Sequence, residues 1–434
     1  MAWDFETEPE FQEKLDWMDA FVREQVEPLD LLFPDTGAPY DRKNPTYKKI
    51  TAPLKEEVKR QGLWACHLGP ELGGLGYGQV KLGLMNEILG RSMWAPNVFG
   101  CQAPDSGNAE ILAYYGSQTQ KDRYLQPLLD GEIVSCFSMT EPQAGADPRE
   151  FRCRARKEGD QWVINGEKYF SSHADFADFL IVMVITDPDV PVHQGASMIL
   201  VPGDAPGLEI VRRVGIVGEP LGNGHHPHLR YNDVRVPEEN LLGGPGQAFT
   251  IAQTRLGGGR IHHAMRTIAT VRSALQMMCE RALTRRTQGE QLARKQMVQE
   301  KIADSFIQLE QFRLLVLYAA WHIDKGHKSE ARTYIAAVKV QMADVLHDVV
   351  RRAVHIHGAL GCSNEMPLMR MWAGVPIMGI ADGPTEVHKV TVAKQVLKQY
   401  EPYEGLWPHA FLPTRVEAAR AQFADLLEHE VGNL

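Results

Sequence analysis

MTEPQAGAD, residues 139–147, stands where the chain changes its period. Before it, apolar residues recur every three or four positions over 5–26, 47–61, 80–90 and 108–115, as in helices with one buried face. After it, from Ser138 to about Arg235, the period shortens to two in FRCRARK, WVINGEKYF, FLIVMVIT, ASMILVP and HLRYNDVRV, broken by turns such as NGE and PGD. Helical spacing returns from Gln247 onward, over 261–286, 295–325, 330–357 and 387–400. This order predicts an α+β chain. Its parts are an N-terminal α-helical domain over 1–135, a middle β-domain over 136–245, a C-terminal helical bundle over 246–400 and a tail over 401–434 with one helix at 413–429. The tail follows a Pro/Gly/Trp loop and reads as a packing or oligomer element.

Two stretches invite chemistry. In MTEPQAGAD the small residues around Gly145 let backbone amides approach a ligand closely, although TEP also suits an ordinary turn. In ADGPTEVH, residues 381–388, Asp382 lies between an apolar run and a helical one, beside Gly383 and Pro384. A carboxylate so placed suits proton abstraction; the alternative is that Asp382 or Thr385 caps the following helix.

Composition narrows the class. A chain of 434 residues holds two or three domains. A net charge of −9 without a long run of one sign argues against nucleic acid and against an anionic membrane surface. Any phosphate-bearing ligand must then be met by local arginines. The six cysteines lack CxxC spacing, which predicts neither zinc nor a disulfide framework and suits a reducing compartment. The acidic, amphipathic start differs from a targeting peptide, and no apolar run nears the roughly 20 residues of a membrane span. The expectation is a cytoplasmic protein if the source is bacterial. GGLGYG (73–78) and GGPG (243–246) read as turns, because neither joins a strand to a helix in a βαβ unit. The histidines of HHPH (225–228) have no further ligand set at metal spacing, so no metal is expected.

RLGGGRIHHAMR (255–266), MCERAL (278–283) and IADGPTEVH (380–388) resemble the acyl-CoA dehydrogenase family, closest to the branch of human members ten and eleven, and the likeness runs from about residue 5 to 399. It implies an N-terminal helical domain, a middle β-barrel or sandwich domain and a C-terminal four-helix bundle, with MTEPQAGAD and ADGPTEVH as two halves of one FAD site. Met139 and Thr140 match positions at the flavin ring, and Gly145 the turn near the pyrophosphate. Ala146 stands where the family has Ser, so a hydroxyl contact falls to backbone amides. Phe170 and Ser172 match residues flanking the flavin, commonly Trp and Thr, although Phe170 equally suits a strand core. Arg285, Thr287 and Gln288 align with the family segment through which a neighbouring subunit grips the diphosphate, Gln296 and Gln299 with its following glutamines, and His355, Gly358 and Ala359 with the loop at the ADP part. Pro384 and Glu386 complete the cofactor-binding set.

The resemblance makes Asp382 the catalytic base, where most of the family has Glu, and puts Arg260 beside base and substrate. An arginine bridging to any acid at a helix start is the alternative for Arg260. The implied reaction forms a trans-2-enoyl-CoA from an acyl-CoA: Asp382 removes the α-proton, a β-hydride passes to flavin N5, and the Asp382 N–H and a ribityl hydroxyl receive the enolate charge. Partial burial is expected to raise the Asp382 pKa. An electron-transferring flavoprotein is the implied acceptor, and a homodimer or homotetramer the implied assembly. Two other readings keep the fold: a flavin oxidase using dioxygen, of acyl-CoA oxidase or nitroalkane-oxidase type, and a non-catalytic helical assembly subunit. Acyl chain length stays open; apolar residues over 82–94 suit a core better than a pocket lining.

Overall fold

The computed structural model describes residues 5–430, and the chain divides into two compact units between Lys389 and Val390. The first four and last four residues of the chain, ends of the acidic start and of the tail, lie outside the described residues.

The first unit opens with α1 (Pro9–Phe21), α2 (Pro45–Arg60), α3 (Gly78–Leu89) and α4 (Asp105–Tyr115). Asn44 caps α2: its side chain accepts from the N–H groups of Thr46 and Tyr47, while Pro45 stands where a missing N–H costs nothing. Leu82, Met85, Leu89 and Trp94 are all buried, so 82–94 is core, as its spacing suggests.

The middle region is one eight-stranded sheet: β1 (Ser135–Ser138), β2 (Arg154–Glu158), β3 (Gln161–Lys168), β4 (Phe179–Ile185), β5 (Ala196–Pro202), β6 (Leu208–Arg212), β7 (His228–Pro237) and β8 (Leu241–Leu242). They pair in the order β6-β7-β3-β2-β4-β5-β8. β1 runs parallel to β4 in the register Ser135 to Phe179, and β2 meets β4 only at Arg154 and Ile185, so two strands share one edge of β4. Every residue of β4, FLIVMVI, is buried, which is why this run lacks the alternation of a half-exposed strand. One sheet face packs on Ile111 and Leu112 of α4 and on Ala248 and Ile251. The other gathers Leu180, Val182, Ile199, Tyr231 and Val234 into its own cluster.

Three long helices follow, α5 (Ala248–Thr284), α6 (Gln296–Asp324) and α7 (Lys328–His357), packed on one another, with α3 against α5 and α6. α5 begins well before the expected position 261 and runs unbroken through Gly257, Gly258 and Gly259. Burial of Ile251 and Ala252 on one side of the glycines and of Ile261, Ala264 and Met265 on the other overrides their poor helix propensity. α8 (Leu368–Ala373) and α9 (Val375–Ile380) follow, and α10 (Thr385–Leu397) begins in the first unit and ends in the second.

In the second unit the helix expected over 413–429 is two, α11 (Leu412–Gln422) and α12 (Ala424–Glu430). The break is at Phe423, whose φ of −109° and ψ of 18° leave the helical region. No helix among the described residues is long and apolar enough to cross a membrane, and all six cysteines are free.

Candidate active site

Asp382 lies in the turn between α9 and α10 with φ +56°, a left-handed conformation that Asp tolerates better than most residues. Neither Asp382 nor Thr385 caps α10 with its side chain: the Thr385 hydroxyl donates to the Gly379 carbonyl at 3.1 Å instead. Arg260 Nε donates to the Asp382 backbone carbonyl at 2.8 Å and so fixes the peptide rather than pairing with the carboxylate. The Asp382 side chain is 17% exposed. Its Oδ1 lies 3.9 Å from Arg255 Nη1 and its Oδ2 3.7 Å from His263 Nε2, both beyond hydrogen-bond length. Among the described residues no hydrogen bond reaches either oxygen. Arg255, Gly259 and His263 recur every four positions and share one face of α5. A Cβ on Gly259 would stand 2.9 Å from Oδ2, so this glycine makes the room in which the carboxylate sits.

The surroundings are cationic. Arg255 donates from Nε to Asn108 Oδ1 at 2.9 Å, and its guanidinium lies 4.1 Å from the centre of the Phe137 ring. Lys339 on α7 is buried and donates to the Met378 carbonyl; burial lowers its pKa to about 8, with Asp382 pulling the other way. Burial also drives His263 toward its neutral form against the pull of Asp382. It lowers the buried His388, beside the Asp382–Gly383 backbone, to about 4. A carboxylate here keeps its lone pairs free while Arg255, Arg260 and Lys339 favour negative charge around it.

The second stretch is anchored by a buried ion pair. Lys168 at the end of β3 donates to the Met139 carbonyl at 2.8 Å and pairs with Glu141 at 2.9 Å, the two side chains being 0% and 2% exposed. Glu141 also accepts from the N–H groups of Arg152 at 2.6 Å and Cys153 at 3.0 Å, and the Tyr169 N–H donates to the Thr140 carbonyl at 2.8 Å. The turn is thereby fixed. The N–H groups of Thr140, Gly145 and Ala146 find no acceptor among the described residues. Phe170 is 45% exposed at φ +52°, not packed in a strand core, and Ser172 Oγ lies 2.8 Å from His226 Nδ1. Unpaired amides beside an exposed aromatic ring fit the polar edge and flat face of a flavin, and the Ala146 amide is available although its side chain offers no hydroxyl.

The residues expected at the diphosphate and ADP end lie elsewhere. Arg286–Thr287 pairs with Glu290–Gln291 in a hairpin whose central residues, Gln288 and Gly289, have φ of +49° and +81°, both positive as a type I′ turn requires. Arg285, Thr287 and Gln288 are exposed there; Gln296 is exposed at the start of α6; Gln299 Nε2 donates to the Ala293 carbonyl. His355, Gly358 and Ala359 are exposed at the end of α7. Among the described residues no hydrogen bond joins either group to Met139, Thr140, Phe170 or Ser172. Pro384 and Glu386 stay beside Asp382, Glu386 exposed in the first turn of α10.

Sequence reasoning passed over Arg255, His263 and Lys339 near Asp382, Glu110 beside Gly258 of α5, and Glu141 and Lys168 under the turn. The spacing of Arg255, Gly259 and His263 within RLGGGRIHH could have revealed the first two. Nothing local marks the others, which reach the site from other elements.

Three profiles match the chain: Acyl-CoA dehydrogenase, N-terminal domain, over residues 8–132, middle domain over 136–232 and C-terminal domain over 246–397. The chain is 42% identical to the probable acyl-CoA dehydrogenase FadE2 of Mycobacterium tuberculosis, over 82% of this chain and 87% of that one. It is 40% identical to acyl-CoA dehydrogenase family member 10 of Mus musculus, over 87% of this chain but 36% of the mouse protein. Thus it spans about a third of that relative's length. Among solved structures, one from Mycobacterium abscessus described as an acyl-CoA dehydrogenase superposes with a TM-score of 0.83 at 37% identity, covering 92% of this chain and 100% of that one. Butyryl-CoA dehydrogenase from Megasphaera elsdenii superposes with a TM-score of 0.77 at 27% identity, covering 91% and 100%.

Proposed function

The chain belongs to the acyl-CoA dehydrogenase family of oxidoreductases, and on that premise we propose that it uses Asp382 to remove the α-proton of an acyl-CoA thioester, forming a trans-2-enoyl-CoA. The observation that carries this reading is the Asp382 carboxylate itself: part-buried, free of hydrogen bonds from the described residues, and set among cations. FAD, when bound, supplies the acceptor for the β-hydride. Met139, Thr140, Gly145, Ala146, Phe170 and Ser172 hold its ring end, with Pro384 and Glu386 beside the base. Arg285, Thr287, Gln288, Gln296, His355, Gly358 and Ala359 take the diphosphate and ADP from a second copy of the chain, so a homodimer is the smallest complete assembly.

Asp382 accepts the proton through an oxygen that no neighbour occupies. Its N–H has no acceptor among the described residues and is free to meet the thioester oxygen as charge develops there. Arg260 holds the next peptide, Asp382–Gly383, through its carbonyl. An electron-transferring flavoprotein is the proposed electron acceptor, in keeping with a TM-score of 0.78 at 26% identity to a solved chain from work on the Acidaminococcus fermentans electron-transferring flavoprotein.

The test is the visible spectrum of the purified protein under anaerobic conditions as short, long and branched acyl-CoAs are added in turn. Bleaching of a flavin band by one class supports the reading and identifies the substrate class. A colourless protein that FAD cannot reconstitute would overturn it.

A further inference from the structure

A second carboxyl group lies against α5 within the field of Arg255, the cation beside the proposed base. Glu110 projects from α4, which packs on α5 where a Cβ on Gly107 would meet Arg255 Cγ at 3.0 Å. Its Oε2 lies 3.0 Å from where a Cβ of Gly258 would stand, one residue from the glycine that seats Asp382. Among the described residues no hydrogen bond reaches the Glu110 carboxyl, and Arg255 is the cation that acts on it. The same guanidinium lies 3.9 Å from Asp382 Oδ1. One buried cation is thus shared by two carboxyl groups.

A full cation beside a general base weakens it by stabilising the ionised form. We infer that Glu110 is a positioning residue for the proposed reaction: ionised, it takes up part of the Arg255 charge and leaves Asp382 the stronger proton acceptor; protonated, it leaves Arg255 to Asp382 alone. This role rests on the acyl-CoA reading above. Burial raises the Glu110 carboxyl to about 7, against the pull of Arg255, so the switch falls within the working pH range. The other titratable or charged groups facing these three residues are Asp105 from α4, Cys136 from β1, Arg260, His262 and His263 from α5, and Lys339 from α7. Burial holds His262 and His263 toward their neutral forms, lowers Lys339 to about 8, and raises Asp105 above its ordinary value and Glu110 to about 7.

The experiment compares the FAD-loaded wild-type protein with Glu110→Gln and Glu110→Asp, following anaerobic flavin bleaching by acyl-CoA and the infrared band of protonated carboxyl across pH. In the wild type, bleaching speeds up as pH rises past about 7, by up to about tenfold. Glu110→Gln stays on the slow limb at every pH, Glu110→Asp regains the rise, and the infrared band that titrates near 7 in the wild type is missing from Glu110→Gln. Superimposable pH profiles for wild type and Glu110→Gln, or an infrared band that survives in Glu110→Gln, overturn the inference. If no acyl-CoA bleaches the wild-type flavin while the infrared band still titrates, the acyl-CoA reading fails and takes this role with it, even though Glu110 ionises as described.

Discussion

Asp382 combines a left-handed backbone with a carboxylate that no other described residue hydrogen-bonds. Asn tolerates the same backbone region, so Asp382→Asn should fold, bind FAD and keep its unfolding midpoint while losing the proton acceptor. Anaerobic bleaching by acyl-CoA, measured by stopped flow, should slow by roughly 10²–10⁴-fold. A parental rate in that variant would remove Asp382 from the reaction. The residue was legible because IADGPTEVH is a long and unusual string. Its environment was not: Glu110, Arg255 and Lys339 come from three different helices, and Arg260, legible in the same way, grips the backbone of Asp382 rather than its side chain.

At the scale of elements, α5 carries the most function per turn, and its glycine run separates two effects that usually travel together. A Cβ at Gly257 meets nothing within 4 Å, so Gly257→Ala should raise the denaturant midpoint, by up to about 1 kcal/mol of helix propensity. Gly259→Ala brings the same propensity, but its Cβ would stand 2.9 Å from Asp382 Oδ2 and must displace the carboxylate. Single-turnover bleaching should therefore drop in Gly259→Ala without loss of FAD; a parental rate would mean that the glycine does not seat the base. The long helices and β4 were legible from periodicity, since a buried stripe or a wholly apolar run leaves a local mark. The early start of α5 was not, because three successive glycines read as a break and only packing on both sides keeps them helical. The anchor of MTEPQAGAD was equally hidden: Glu141 reads as part of a turn until Lys168, at the end of β3, arrives beneath it.

For the whole molecule, buried histidines contribute to the response to acid. Both ring nitrogens of His67 are buried without a hydrogen-bond partner among the described residues, and burial lowers its pKa from the ordinary 6.5 to about 3. Between those values the unfolded chain binds a proton that the native state refuses, so this contribution to stability is intact above pH 6.5 and is lost as pH falls. Glu110 acts in the opposite sense, since its raised pKa lets the native state keep a proton that the unfolded chain gives up. A single substitution isolates the histidine term: in His67→Gln the loss of unfolding free energy between pH 7 and pH 5 should shrink by roughly 2 kcal/mol, read from denaturant curves at the two pH values. An unchanged loss would mean that His67 is protonated in the native state as readily as in the unfolded one. The sequence by itself determined the succession of helices, sheet and helices, and the candidates at Met139–Asp147 and Asp382, because period and motif are properties of neighbouring residues. Only the tertiary structure decided which charges surround Asp382, which ion pair fixes the turn and which groups lose contact with water, because those depend on side chains brought together from distant elements and on how far each is removed from solvent.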